Sequence, residues 1–238
     1  MLFQTLDNKE ECVGLYLDGQ ILYPDVLPTS LTKTWDYSTY LSEHDVEYAS
    51  LYCRGKSLAQ VCPESLQQEW QEINKRMKAF LTSFHEAKVS LRENCFFELV
   101  PERFLLEYCH LKDKISQYVF KTYERPKDYE FLLGLAKLSD KIKYQQLNID
   151  PGQMNLGSAR AREFYKKVSA QKQYIEYDIF GTKTGRLTTT KSSFPILTMS
   201  REFRQILIHA CLKITLLESR ASRKYFLGCI TQQQRTTV

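Results

Sequence analysis

Glycine and proline are scarce in this chain of 238 residues, at nine and seven. That scarcity excludes a collagen-like repeat. With 26% of residues charged and 43% apolar, a wholly disordered chain is excluded as well. No apolar run reaches the roughly 18 residues that a bilayer-spanning helix needs, so no membrane partner is expected. The first residues, 1–11, lack the basic-then-apolar plan of a secretory signal. Cys-x-x-Cys and His-x-x-x-His pairs are missing, although there are seven cysteines and four histidines (His44, His85, His110, His209). An odd cysteine count with irregular spacing fits a reduced, cytoplasmic setting better than a disulfide framework. Cys109 and His110 are adjacent and so face different sides of a helix, which leaves no zinc site.

Nucleophilic catalysis finds no support, because no Gly-x-Ser-x-Gly elbow occurs. Gly55-Lys56-Ser57 has the ending of a phosphate-binding loop, but that motif needs an earlier glycine where Ser50 stands. Gly55 therefore reads as a helix C-cap facing solvent. Asp18 and Asp45 are better explained by a turn and a helix end than as metal carboxylates. No catalytic or metal-binding residue is assigned.

What the chain does have is an uneven charge. The net +5 divides into an acidic front, 1–155, at −5, and a basic back. Residues 156–207 carry ten bases against four acids, and 208–238 carry five against one. A polyanion partner for the back half is one reading, and a solvated basic face is the other.

Hydropathy patterns give the elements. Cys12 to Tyr23 reads as a β-hairpin, with Val13, Leu15 and Leu17 alternating to one face and Asp18-Gly19 at the turn. Ser42 is placed to cap a helix over about 43–53. The strongest helical period runs from Pro63 to about Arg92, through Leu66, Trp70, Ile73, Met77, Phe80, Leu81, Phe84 and Leu91. Such a stripe requires a partner helix. Further helices are expected over about 101–123, 127–147 and 153–170, with 148–152 as a loop. Tyr174 to Phe180 alternates as a strand, and Gly181 to Ser193 is a polar loop with two glycines and five threonines. The expected fold is α+β and mainly helical. Its divisions are a hairpin and helix region (1–60), a helical region (61–172), a strand and loop region (173–207) and an atypical basic tail (208–238).

The loop is the segment with chemistry. Gly181 and Gly185 lack the Cβ atoms that would hold a nucleic-acid backbone away. Thr184, Thr188, Thr189 and Ser192 offer hydroxyls, and Lys183, Arg186 and Lys191 offer charge, the usual groups for phosphate contacts. Arg186 could instead reach base edges in a minor groove, where every pair presents acceptors. A generic exposed loop is the plainer alternative.

Phe180-Gly-Thr-Lys-Thr-Gly-Arg-Leu-Thr-Thr, followed by Ser193-Phe-Pro-Ile-Leu, resembles the Thr-Gly-Arg-Leu-Ser-Ser…Pro-Asn-Leu-Gln motif of family A DNA polymerases, in the divergent phage-type form. The match covers about 30 residues. It implies that 61–172 is a thumb-like bundle and 173–207 the start of a palm. It also implies that Arg186 reads the minor groove at the primer terminus. Lys183, Thr184, Gly185, Thr188, Thr189, Lys191 and Arg204 would be the neighbouring DNA contacts. The usual Pro-Asn-Leu-Gln is Pro195-Ile-Leu-Thr here, so the interactions of its Asn and Gln are absent or replaced. The family uses magnesium held by carboxylates for phosphoryl transfer. The Asp-x-x-x-x-Glu, fingers-helix and His-Asp-Glu motifs that should follow are absent, and the only acids after Asp178 are Glu202 and Glu218. An Asp-x-Glu exonuclease pair is also lacking. The resemblance thus implies a chain truncated before the catalytic palm motifs, and a frameshifted or truncated gene product is one hypothesis for 208–238. Such a chain binds primer–template DNA but is inactive alone. It meets dNTP only with the missing palm and fingers, in the cytoplasm of a bacterial host if phage-encoded. A stand-alone helical protein, binding DNA non-specifically or serving as an interaction module, remains the alternative.

Overall fold

The computed structural model describes residues 1–8, 12–170, 172–182, 186–191 and 193–207, apart from the side chains of Gln153, Glu202 and Gln205. The fold is α+β, with seven α-helices and three small sheets among these residues. The described residues divide into two compact units, one within 1–146 and 173–198, the other within 147–172 and 199–207.

The first unit begins with an antiparallel sheet of β1 (Gln4–Leu6), β2 (Gly14–Leu17) and β3 (Gln20–Leu22). The β2–β3 turn is the one expected, with Asp18 and Gly19 both at positive φ, 48° and 86°. This backbone matches the twist of the paired strands. A parallel pair follows, β4 (Lys33–Thr34) with β5 (Glu47–Tyr48). Residues 43–53 do not form the helix expected from Ser42. Thr39–Leu41 is a 3-10 turn that Ser42 ends, and Glu47–Tyr48 is extended. The helix α1 is confined to Ala49–Tyr52. Pairing with β4, and a hydrogen bond from Tyr48 N to the Tyr129 hydroxyl at 2.9 Å, outweigh the local signal.

After α2 (Leu58–Val61) comes α3 (Gln67–Glu86), shorter than the 63–92 period because 64–66 is a 3-10 turn. A short α4 (Phe96–Leu99) leads to α5 (Glu102–Thr122) and α6 (Tyr129–Lys143), close to their expected bounds. The partner of the α3 stripe is α5, which runs antiparallel to it. Lys114 pairs with Glu69 at 3.6 Å, Arg76 pairs with Glu107, and the rings of Phe80 and Phe104 meet edge to face at 5.0 Å. Such surface ion pairs set the alignment and add little stability, about 0–1 kcal/mol each. The burial is on α5, where Phe104, Leu105, Cys109, Leu111, Ile115 and Val119 are all buried. Among the described residues no helix is long and apolar enough to cross a membrane.

In the second unit, α7 (Ala159–Ser169) starts later than the 153–170 expectation. Pro151–Gln153 is a 3-10 turn, and the Ser158 side chain accepts from Ala161 N at 3.0 Å to cap the helix. The α7 ring of Phe164 stacks on Phe203 at 4.8 Å, and Asp150 N donates to Ile206 O at 2.8 Å. In the first unit, β6 (Tyr177–Asp178) and β7 (Thr188–Thr189) pair antiparallel. The strand expected over 174–180 is thus two residues long, with an isolated bridge from Tyr174 to Gln146 before it. The tail 208–238 lies outside the described residues.

Candidate nucleic-acid interface

Two paired residues per strand are too few to hold a hairpin alone, and flanking backbone and side-chain bonds close this one. Glu176 N donates to Ser193 Oγ at 2.8 Å, and Phe194 N donates to Tyr174 O at 3.0 Å. Thr190 donates twice to Glu176, from its amide to the carbonyl and from its hydroxyl to the carboxylate, both at 3.0 Å. The Asp178 carboxylate accepts from Phe180 N at 2.8 Å, the local turn that Asp favours. Thr182 clamps the loop. Its hydroxyl accepts from Arg186 N at 2.8 Å and donates to Arg186 O at 2.9 Å. Burial pushes the Tyr177 phenol above its ordinary value, so it stays neutral.

This arrangement brings Arg186, Thr188, Thr189 and Lys191 onto one hairpin. Arg186 and Lys191 are exposed, while Thr188 and Thr189 are half-buried. Among the described residues the Arg186 guanidinium makes no ion pair. Lys183, Thr184, Gly185 and Ser192 lie outside the described residues. Arg204 belongs to the second unit, is exposed, and donates from Nε to Met199 O at 3.3 Å.

Gly181 has an internal reason to be glycine. A Cβ there would collide with the Thr188 hydroxyl and lie 3.1 Å from Asp178 Oδ2, so the close approach is made by its own partner strand. The Thr188 hydroxyl points inward as well, toward Asp178 O at 3.5 Å. Sequence reasoning assigns the hydroxyls of this segment to phosphate and misses that Thr182, Thr190 and Ser193 hold the loop itself. The available signal is Asp178, an Asx-turn residue two positions before Phe180. Gly55, expected to face solvent, is exposed, yet its Cβ direction is filled by the Phe180 ring.

A separate cleft of about 240 Å³ is lined by Lys33, Glu47, Arg125 and Glu130 among others. Its bases are paired with its own acids, Lys33 with Glu47 at 3.8 Å and Arg125 with Glu130 at 2.6 Å. Among the described residues no group of three or more His, Cys, Asp or Glu could hold a metal ion. The magnesium implied by the resemblance therefore finds no matching donor set in these residues. The fold and the hairpin together define an α+β protein with an exposed cationic loop. No family model, curated protein or solved structure matches the chain.

Proposed function

We propose that this chain binds primer–template DNA through the β6–β7 loop, as part of a template-directed DNA polymerase of the DNA polymerase I family. Residues 61–172, which hold helices α3 to α7, are read as thumb-like, and 173–207 as the start of a palm. One observation carries the reading: Arg186, the position that matches the family's minor-groove arginine, is exposed, without an ion pair among the described residues, on a loop fixed by its own hydrogen bonds. The Arg186 backbone, held at N and O by Thr182 before binding, has less conformational entropy to lose when the loop meets its partner. Lys191 adds a phosphate contact on the same hairpin, and Arg204 is a further candidate. The sequence lacks the carboxylate motifs that hold magnesium, so the share of this chain is DNA binding rather than phosphoryl transfer.

The test is a fluorescence-anisotropy titration against a recessed primer–template junction and a blunt duplex of equal length. The junction is expected to bind more tightly, with both affinities falling steeply as salt rises. Arg186→Ala is expected to weaken junction binding by about 1–3 kcal/mol, the range for a base-edge contact. Equal binding by mutant and parent would remove the role given to Arg186. No preference between junction and blunt duplex would favour the non-specific helical protein instead. With magnesium and dNTPs the chain is expected to add no nucleotide to a labelled primer, and measurable extension would overturn that part of the reading.

A further inference from the structure

The turn at 53–56 is unusual in its backbone. Arg54 and Gly55 lie consecutively in the left-handed region, at φ 51° and 70°. It is held from several sides. Gly55 N donates to Ser50 O at 2.8 Å, and Lys56 N donates to Cys53 O at 3.2 Å. The Arg54 guanidinium donates to both carboxylate oxygens of Asp128, at 2.8 and 3.2 Å, just before α6. The Lys56 ammonium sits 5.5 Å from the centre of the Tyr123 ring, just after α5.

Onto this fixed turn lies the ring of Phe180. A Cβ on Gly55 would stand 2.7 Å from Phe180 Cγ and 3.0 Å from Cε2, closer than carbon atoms approach. Gly55 lies at φ 70°, where a side chain is strained in itself, and the Phe180 ring adds a second demand by filling the direction a Cβ would take. Phe180 is also the root of the cationic loop, since Gly181 follows it and the Thr182–Arg186 clamp comes next.

We propose that Gly55 and Phe180 form a positioning joint, in which the ring seated on the left-handed turn fixes the root of the loop that presents Arg186. Both are positioning residues that act through Arg186. Its consequence for DNA rests on the binding reading above, whereas the joint itself can be tested without DNA.

The experiment uses the full chain, as parent, Gly55→Asn, Phe180→Ala, Arg186→Ala and the Gly55→Asn/Arg186→Ala double variant. Asn tolerates the left-handed conformation but adds a Cβ where the ring lies, which isolates the contact from backbone strain. Phe180→Ala removes the ring and leaves the glycine, so the joint stays testable if the first variant folds poorly. Thermal melts identify which variants are folded. Tryptic cleavage after Arg186, without DNA, reads whether the loop root is held. It is expected to speed up about tenfold in both single joint variants, because cleavage tracks local opening. Unchanged cleavage in folded variants would overturn the joint.

The DNA arm uses the fluorescent recessed junction and the blunt duplex. Gly55→Asn is expected to weaken junction binding about tenfold with duplex binding unchanged, and Arg186→Ala is expected to add nothing further in that background. Additive losses would show that Gly55 does not act through Arg186. If Arg186→Ala alone leaves junction binding intact, the DNA reading fails, while accelerated cleavage still supports the joint. A loss with Arg186→Ala, together with no loss and unchanged cleavage in Gly55→Asn, leaves the DNA reading standing and overturns the joint.

Discussion

At Cys109 a single buried thiol ties stability to pH. The residue is 1% exposed on α5, and burial pushes its thiol up to about 12, against an ordinary value of about 8.5. The Tyr129 phenol, 3% exposed, is likewise pushed up to about 12 by burial. Both groups keep their protons in the folded chain at pH values where the unfolded chain has lost them. Their contribution is therefore complete below about pH 8.5 and is lost as pH climbs toward about 12. Each group steepens the decline by at most ~1.4 kcal/mol per pH unit. Urea unfolding between pH 8 and 11 should show it, and Cys109→Ala should flatten it. An identical slope in that variant would dismiss the thiol as the cause. At this scale the sequence is only partly readable. The Asp18-Gly19 turn needs positive φ from neighbours in the chain and is legible. Gly55 is legible as a helix-end glycine at positive φ, but its contact with Phe180 is not, and Gly181 is glycine because of Thr188, a contact that no local pattern encodes.

The end of α3 shows what an element keeps hidden. The helix stops in a Schellman arrangement, with Val89 N donating to Phe84 O at 2.9 Å and Lys88 N to His85 O at 3.0 Å. Lys88 occupies the left-handed position, at φ 57°, where glycine is usual. A Cβ there costs about 1 kcal/mol, so Lys88→Gly should stabilise the chain by about 0.5–1 kcal/mol. A higher urea midpoint at unchanged m-value is the expected result, and an unchanged midpoint would show the strain to be relieved elsewhere. The long helices α3, α5 and α6 are legible because apolar residues repeat every three to four positions over several turns. By contrast β1, β4 and β5 are two or three residues long, too short to show a period. Over 43–53 a capping residue and good helix formers point one way. The parallel pairing of Glu47–Tyr48 with Lys33–Thr34, a contact distant in sequence, decides the other.

Across the whole molecule charge is the property that sequence reveals most directly, because it needs no fold to be counted. The tail 208–238 holds net +4 of the total +5, and the Arg186 hairpin belongs to the first unit. A polyanion meets these two sources differently. Unstructured attraction to phosphates scales with the number of cations engaged and ignores the shape of the DNA. A loop that reaches base edges responds to the primer end. The two are separable by a chain ending at Leu207, which keeps the Ile149–Leu207 bridge and the Phe164–Phe203 stack. That chain is expected to bind blunt duplex more weakly. Its plot of log affinity against log salt should be shallower, by about 0.9 for each phosphate that the tail's lysines and arginines neutralise. Its preference for the recessed junction should be equal to or greater than that of the full chain, because Arg186 remains. If the preference disappears with the tail, specificity resides in 208–238, and the hairpin is an exposed loop without a part in recognition.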